Sequence, residues 1–301
     1  MPVNFFRSGV FFVVAILLTL LSACGGNSSI TAVKTQANTV TPALGASYNA
    51  DVYVYAADGM TLLGQGKTDG TTGKSNVTLT GYTPGTPVIV KVVLDPAKGA
   101  TYYDENRPTL ASVAPSSKFT MLSILPSATS GQDFSANPLT NMAAKFAGIA
   151  ADNLGTIQPS APLIADEVYE GVAKTNLALG LPASTNILAP VTPATKSNPA
   201  PSGTMSNLLV VMATATLGQT LDPIQRAANL ASAIKSDGTI DSTKVSALTD
   251  LNSALVQVSN LGLSVVAPKT TNEAIQGSLS AAKEAASKSV TSFTGSVTGG
   301  N

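Results

Sequence analysis

A short apolar segment near the amino terminus constrains this chain more than any other feature. Arg7 supplies one positive charge, and the 14 positions from Val10 to Ala23 are apolar or small. A charge, an apolar core and a small-residue exit are typical of an export signal. A helix that spans a bilayer needs about 20 apolar residues, which is more than this run offers. Residues 1–23 are therefore predicted to be a cleaved signal peptide.

Leu21-Ser22-Ala23-Cys24 resembles the lipobox of bacterial lipoproteins, and Cys24 is the only cysteine in the 301 residues. The resemblance implies that the Cys24 sulfur, the nucleophile that acylation needs, receives lipid before the signal is cut. Gly25-Gly26-Asn27-Ser28 lacks the aspartate that follows the cysteine in lipoproteins kept at the inner membrane. The implied location is the outer membrane, with its periplasmic or surface face left open. The alternative is an unmodified thiol, at the end of an ordinary signal or buried.

The residue inventory excludes several classes of site. The chain has no histidine, and its one cysteine is assigned to lipid. A histidine triad, a cysteine nucleophile, a histidine-ligated metal and a histidine-ligated haem are therefore excluded. The 17 basic and 17 acidic residues balance, so no basic footprint for nucleic acid is present. No cofactor is predicted, and carboxylate, Ser-Lys and oxygen-ligand chemistry stay open.

Composition along the chain divides it into four segments. Residues 1–23 are the signal peptide and residues 24–46, rich in small polar residues, are predicted to be a flexible tether. Residues 47–130 carry strand patterns and residues 131–301 carry helical patterns. The predicted fold class is α+β multidomain, with a small antiparallel β-sandwich followed by an all-α helical bundle.

Alternation of apolar and polar residues marks the first strands. Val52-Tyr53-Val54-Tyr55 is followed by an Asp58-Gly59 turn and by Gly64-Gln65-Gly66-Lys67-Thr68-Asp69. Further strands are predicted at Val77–Gly81, Val88–Leu94 and Phe119–Leu125. This order resembles the carboxypeptidase regulatory-like or transthyretin-like sandwich. The resemblance implies a spacer or a binding platform, since the fold alone assigns no function.

Helical periodicity replaces the alternation after Gly131. Six helices are predicted, at Asn137–Ala147, Pro162–Leu181, Met205–Leu217, Pro223–Lys235, Asp241–Leu261 and Thr271–Phe293. Leu208–Ala215 is apolar on nearly every side, which places it at the centre of a bundle. The polar segment Pro190–Pro201 is predicted to be a loop. Pro138-Leu139-Thr140 and the Leu230–Asp241 pattern resemble the helical half of uncharacterised bacterial lipoproteins, which implies no reaction.

Two sets of residues in the strand region are candidate sites, and each has an ordinary structural explanation. Tyrosine can stack on sugar rings but is also a favoured strand residue. The candidates for a carbohydrate-binding face are Tyr53, Tyr55, Tyr82, Tyr102 and Tyr103. Carboxylates at loop tips can bind calcium but also suit turns without metal. The candidates for calcium are Asp58, Asp69, Asp95, Asp104 and Glu105.

Two motifs in the helical region fail closer inspection. Asp237–Asp241 resembles part of an EF-hand loop, but Ala233, Lys235 and Lys244 then occupy positions that need oxygen ligands. The Ser-x-x-Lys spacing of penicillin-recognising enzymes occurs without a Lys-Thr-Gly partner, so chance explains it. Its two occurrences are Ser232 with Lys235 and Ser280 with Lys283.

Three hypotheses of function remain. The first is a non-enzymatic recognition or structural module that is anchored to the membrane by lipid and contacts an unknown envelope protein or glycan. The second is a carboxylate-based hydrolase or lyase on envelope polysaccharide, with Asp166, Glu167 and Glu170 on one helix. Asp166 and Glu170 share a helix face, as an acid and a base would, although a solvated helix surface explains them better. The third is a carrier of a small apolar ligand beside Leu208–Ala215.

Overall fold

The computed structural model describes residues 34–105, 107, 109–179, 185–199, 201–202, 205–206, 209, 223–235, 241 and 243. Within these residues the chain forms nine β-strands, one short 3-10 helix (Pro96–Lys98) and three α-helices. The strands are β1 (Thr35–Pro42), β2 (Ser47–Tyr48), β3 (Asp51–Ala56), β4 (Leu62–Lys67), β5 (Ser75–Thr80), β6 (Val88–Leu94), β7 (Thr101–Tyr102), β8 (Phe119–Leu125) and β9 (Asp133–Ala136). The α-helices are α1 (Pro138–Phe146), α2 (Ala165–Leu179) and α3 (Pro223–Ser232).

Two larger sheets and one ribbon organise the strands. The four-stranded sheet is antiparallel in the order β4-β3-β6-β8. The three-stranded sheet has the order β5-β1-β9, in which β1 runs antiparallel to β5 and parallel to β9. The short strands β2 and β7 pair separately. The chain is therefore a mixed α/β protein with several antiparallel sheets, and the strands predicted in residues 50–125 are confirmed.

The two larger sheets share one apolar core. Strands β3 and β5 bury every second side chain, and Val52, Val54 and Leu79 are fully enclosed there. Glycine in β4 lets the sheets approach closely, since a Cβ atom on Gly64 would lie 2.5 Å from the Thr78 carbonyl oxygen. The Gly-x-Gly pattern of the sequence is thus a packing requirement of this core.

A second core lies on the other face of the four-stranded sheet. Strand β6 is buried on both faces, as its nearly continuous β-branched sequence predicts. Ile89 and Leu122 point from the sheet into this second core, where they meet Leu139 and Met142 of α1. Helix α1 is therefore enclosed between the sheet and the rest of the helical region.

The start of α1 is fixed by side-chain hydrogen bonds. The Asn137 side chain accepts from the N–H groups of Leu139 (2.9 Å) and Thr140 (3.1 Å), and the Asn137 N–H donates to Thr140 Oγ1 (2.9 Å). Thr140 and Asn141 also bond to the outer edge of β8, which has no further strand beside it in the four-stranded sheet. Thr140 Oγ1 donates to the Leu122 carbonyl (2.8 Å), and the Leu122 N–H donates to Asn141 Oδ1 (3.0 Å). The helix terminus thus takes the place of a further strand.

The predicted all-α bundle over residues 131–301 is not supported. Asp133–Ala136 forms β9 within a sheet, and α1 packs on strands, so helices and strands share a core. A helical period identifies the apolar face but does not say whether a sheet or a helix covers it. The helices predicted near residues 138, 165 and 223 are present. The helices predicted at Met205–Leu217, Asp241–Leu261 and Thr271–Phe293 lie outside the described residues, apart from isolated positions.

The tether predicted over residues 24–46 is wrong for residues 35–46. Thr35–Pro42 forms β1, the central strand of the three-stranded sheet, and Val40 is fully buried. The strand was missed because its buried positions are mostly Thr, Asn and Pro, which give no apolar alternation. Residues 24–33 lie outside the described residues.

Candidate functional site

A polar cleft of about 580 Å³ opens at one end of the two-sheet region. Five segments that are distant in sequence form its walls. The lining residues are Tyr48, Asn49, Gly70, Thr71, Thr101, Ala111, Ser112, Thr195, Lys196 and Ser197. Hydroxyl groups, one carboxamide, one aromatic ring and one ammonium group therefore face the same space.

The floor of the polar cleft is the ribbon of β2 and β7. Tyr48 pairs with Thr101 in this ribbon, and the Tyr48 ring is half-buried. Burial raises the pKa of the Tyr48 phenol, so the group is neutral and can donate at physiological pH. Asn49 follows with φ of 56°, and it is the only non-glycine residue with positive φ among the described residues. That left-handed conformation is one that asparagine tolerates and that turns the chain sharply at the floor.

The turn after β4 forms one wall. Asp69 Oδ1 accepts the N–H groups of Thr71 (2.9 Å) and Thr72 (2.7 Å). Both bonds lower the pKa of Asp69 because they stabilise the carboxylate, and the bond from Thr72 has the larger effect. This local network fixes Thr71 at the cleft and employs Asp69 as a turn residue.

The opposite wall is a turn of residues 195–198, called here the Lys196 turn. The Asn198 N–H donates to Thr195 Oγ1 (2.9 Å), and the Thr195 N–H donates to the Asn198 carbonyl (3.0 Å). The side chain of Lys196 stands exposed at the tip and is the only charged group among the lining residues. The turn is attached to the floor by the Ala46 N–H, which donates to the Ala194 carbonyl (2.8 Å).

The third wall is the segment of residues 111–113. Tyr102 of β7 and Val113 exchange two backbone hydrogen bonds of 2.8 Å each. This isolated bridge holds Ser112 at the rim of the polar cleft. Every wall is therefore tied by backbone or turn hydrogen bonds to the floor or to itself, and the cleft is largely preformed.

A buried carboxyl group lies in the segment that follows the floor strand β7. Glu105 is 5% exposed, and the nearby Gly45 N–H stabilises its charged form only slightly. Burial, together with the adjacent Asp104 carboxylate, raises the pKa of Glu105 to about 8. Asp104 is itself buried and accepts a 2.7 Å bond from Arg107 Nε. Glu105 is therefore mainly protonated at neutral pH.

The five candidate tyrosines do not form a carbohydrate-binding face. Tyr55, Tyr82, Tyr102 and Tyr103 are buried, and Tyr53 packs beside the second core. The aromatic residue of the polar cleft is Tyr48, which the sequence analysis did not select. The sequence feature that could have indicated Tyr48 is a Tyr-Asn pair shortly before a strand, and such a pair is weak evidence for a site.

The candidate calcium residues are dispersed and have structural roles. Asp58 Oδ1 accepts the N–H groups of Met60 and Thr61, and Asp95 caps the short 3-10 helix. Within the described part of the chain, no group of three or more potential ligands is placed to hold a metal ion. Of the rejected EF-hand segment Asp237–Asp241, only Asp241 lies within the described residues.

The carboxylates of the enzymatic hypothesis lie on an exposed surface of α2. Glu167 Oε2 accepts the Ile164 N–H (3.0 Å) at the helix start, and Glu170 pairs with Lys174 (2.8 Å). Asp166 is exposed and is not among the residues that line the polar cleft.

The other candidate residues either have a structural role or lie outside the described residues. Ser232 Oγ donates to the Asn229 carbonyl (2.8 Å), an ordinary bond within a helix end. Ser280, Lys283 and Cys24 lie outside the described residues, as does Leu208–Ala215 apart from the buried Leu209. In the described part of the chain no helix has the length and apolar character to cross a bilayer.

Comparisons with protein-family models, with curated proteins and with solved structures found no match to this chain.

Proposed function

We propose that this chain is a lipid-anchored, non-enzymatic recognition protein of the bacterial cell envelope that binds a glycan in the polar cleft. The anchor consists of acyl chains on Cys24 of the lipobox-like sequence, and these chains insert in the outer membrane. The binding platform is a β-sandwich of the carboxypeptidase regulatory-like kind. The order of its strands and turns, and the single core shared by its two sheets, support that assignment.

The lining of the polar cleft carries the proposal. Sugars present many hydroxyl groups and a weakly apolar ring face, which hydroxyl, amide and aromatic side chains complement. Thr71, Thr101 and Ser112 provide hydroxyl groups, Asn49 provides a carboxamide, and Tyr48 provides a ring. A carrier of apolar molecules would need a mainly apolar pocket instead.

Binding without hydrolysis is favoured by the residues of the same cleft. Glycoside hydrolases generally use two carboxyl groups that flank the scissile bond. The residues that line the polar cleft include no Asp or Glu. The one charged side chain, Lys196, adds a donor for hydroxyl or acidic groups of the ligand.

The test is a binding titration of the full-length lipoprotein in detergent micelles. The probes are soluble peptidoglycan fragments and the core oligosaccharides of lipopolysaccharide, with heat or chemical-shift changes as the readout. Tyr48→Ala is expected to weaken binding by about fivefold, since stacking contacts contribute about 1 kcal/mol. Tyr169→Ala, on the exposed face of α2, is the matched control and is expected to leave binding unchanged. Absence of binding by every probe, or equal losses in the two variants, contradicts the proposal.

A further inference from the structure

The turn of residues 43–46, called here the Gly45 turn, connects the buried Glu105 to the polar cleft. Ala43 and Ala46 form an isolated bridge across it. The Gly45 N–H is directed at the Glu105 carboxyl group, and the carbonyl of the fully buried Ala46 accepts the Tyr103 N–H (2.9 Å). The same Ala46 donates to the Ala194 carbonyl (2.8 Å), one residue before the Lys196 turn. The Lys196 turn is thus attached to the floor through the Gly45 turn, which packs against the Tyr103 backbone two residues before Glu105.

The surroundings of Glu105 disfavour a negative charge. Its Oε2 atom is buried and has no hydrogen-bond partner in the described part of the chain. The charged and titratable groups that face this region are Asp104, Arg107, Tyr103 and Tyr48. Arg107 is engaged with Asp104, and both phenols have pKa values raised by burial and are neutral. No cation in this set is therefore available to compensate an ionised Glu105.

We propose that the protonation state of Glu105 regulates the polar cleft. With a neutral carboxyl group the Gly45 turn stays packed, and Ala46 keeps its bonds to Tyr103 and Ala194. Loss of the proton favours a local opening that exposes Glu105 to water and releases the Lys196 turn from the floor. Regulation of glycan binding in this way rests on the proposed function, whereas the opening itself does not.

The direction of the effect follows from proton linkage. In the packed state the pKa of Glu105 is about 8, and in the opened state the group regains its ordinary value of 4.5. The packed state therefore binds more protons than the opened state between these values, and raising the pH favours opening. Because opening releases one proton, the equilibrium constant for opening rises roughly tenfold for each pH unit between the two pKa values. Above the packed-state pKa it stays constant.

Hydrogen exchange of the full-length lipoprotein tests the opening without any ligand. Exchange of residues 43–48 and 194–198 is followed from about pH 5.5 to about pH 7.5, corrected for intrinsic rates, and protection is expected to fall roughly 100-fold. Glu105→Gln keeps an acceptor for the Gly45 N–H but cannot ionise, so its protection is expected to stay level. Glu170→Gln, at an exposed carboxylate, is the matched control and keeps the wild-type slope.

Low urea concentrations separate local opening from global unfolding, because only the global reaction exposes enough surface to respond. Exchange of the two segments is expected to be insensitive to urea, unlike that of β6. The proposal is overturned if Glu105→Gln retains the wild-type slope, or if the two segments follow β6 in rate and urea dependence. Failure to bind any oligosaccharide overturns the proposed function alone, and loss of the pH slope overturns this inference alone.

Discussion

Gly45 and Glu105, sixty positions apart in sequence, lie side by side, with the Gly45 N–H directed at the Glu105 carboxyl group. The glycine adopts φ of 61°, and its α-carbon lies against the Tyr103 carbonyl, where no side chain fits. The protein therefore keeps a protonated Glu105 carboxyl group beside a backbone turn. Substitution of either residue gives a testable prediction.

Replacement of Glu105 by glutamine is expected to stabilise the protein at neutral and alkaline pH. In the unfolded chain the carboxyl ionises near pH 4.5, while the folded state keeps its proton until about pH 8. The wild-type free energy of unfolding therefore falls between these values, and that of Glu105→Gln does not. The variant's advantage should grow from nearly zero at the lower pH to on the order of a few kcal/mol at the upper one. Urea unfolding at a series of pH values measures it, and parallel stability curves for the two proteins would refute the prediction.

Replacement of Gly45 by alanine is expected to be strongly destabilising. A positive φ costs a non-glycine residue about 1 kcal/mol, and the new methyl group also meets the Tyr103 carbonyl oxygen. A total loss of about 3 kcal/mol or more is expected in thermal or urea unfolding. Gly85→Ala is the matched control, since Gly85 has φ of 83° and open space around it. Equal losses in the two variants would show that the contact with Tyr103 is unimportant.

Asn141 is predicted to stabilise the edge of β8 rather than α1 itself. Its Oδ1 atom accepts the Leu122 N–H in a buried setting, so Asn141→Leu leaves that donor without a partner. The expected loss in the free energy of unfolding is about 1 to 3 kcal/mol. Asn229→Leu, at an exposed position of α3, is expected to change stability by less than about 0.5 kcal/mol. An Asn141→Leu variant with an unchanged free energy of unfolding would contradict the prediction and would mean that water satisfies the Leu122 N–H.

Local patterns were sufficient to predict β3, β4, β5, β6 and β8 and the start of α1. Val52 and Val54 alternate with Asp51 and Tyr53, and Asn137 precedes Pro138 in a cap, so both patterns lie within a few adjacent residues. Strand β1 escaped prediction because its pairing with β5 and β9 depends on residues far along the chain.

The polar cleft could not be predicted, because it exists only after folding. Tyr48, Thr71, Thr101, Ser112 and Lys196 each have the composition of an ordinary loop or strand end. The burial of Glu105 likewise depends on the Gly45 turn, and nothing in the neighbouring sequence indicates it. Sites assembled from remote segments by backbone hydrogen bonds leave no spacing motif in the sequence.

Substitutions at the adjacent positions Cys24 and Gly25 test the proposed lipid anchor and its membrane. Cys24→Ala removes the thiol that acylation requires, and each buried methylene of an acyl chain contributes about 0.8 kcal/mol to membrane binding. The wild-type protein is expected in the outer-membrane fraction of a density gradient, and Cys24→Ala is expected to lose that membrane attachment. Gly25→Asp introduces the aspartate of inner-membrane lipoproteins, so this variant should remain acylated but shift to the inner membrane. Mass spectrometry of the amino-terminal peptide distinguishes the two cases, and an unmodified Cys24 thiol in the wild-type protein would refute the lipid anchor.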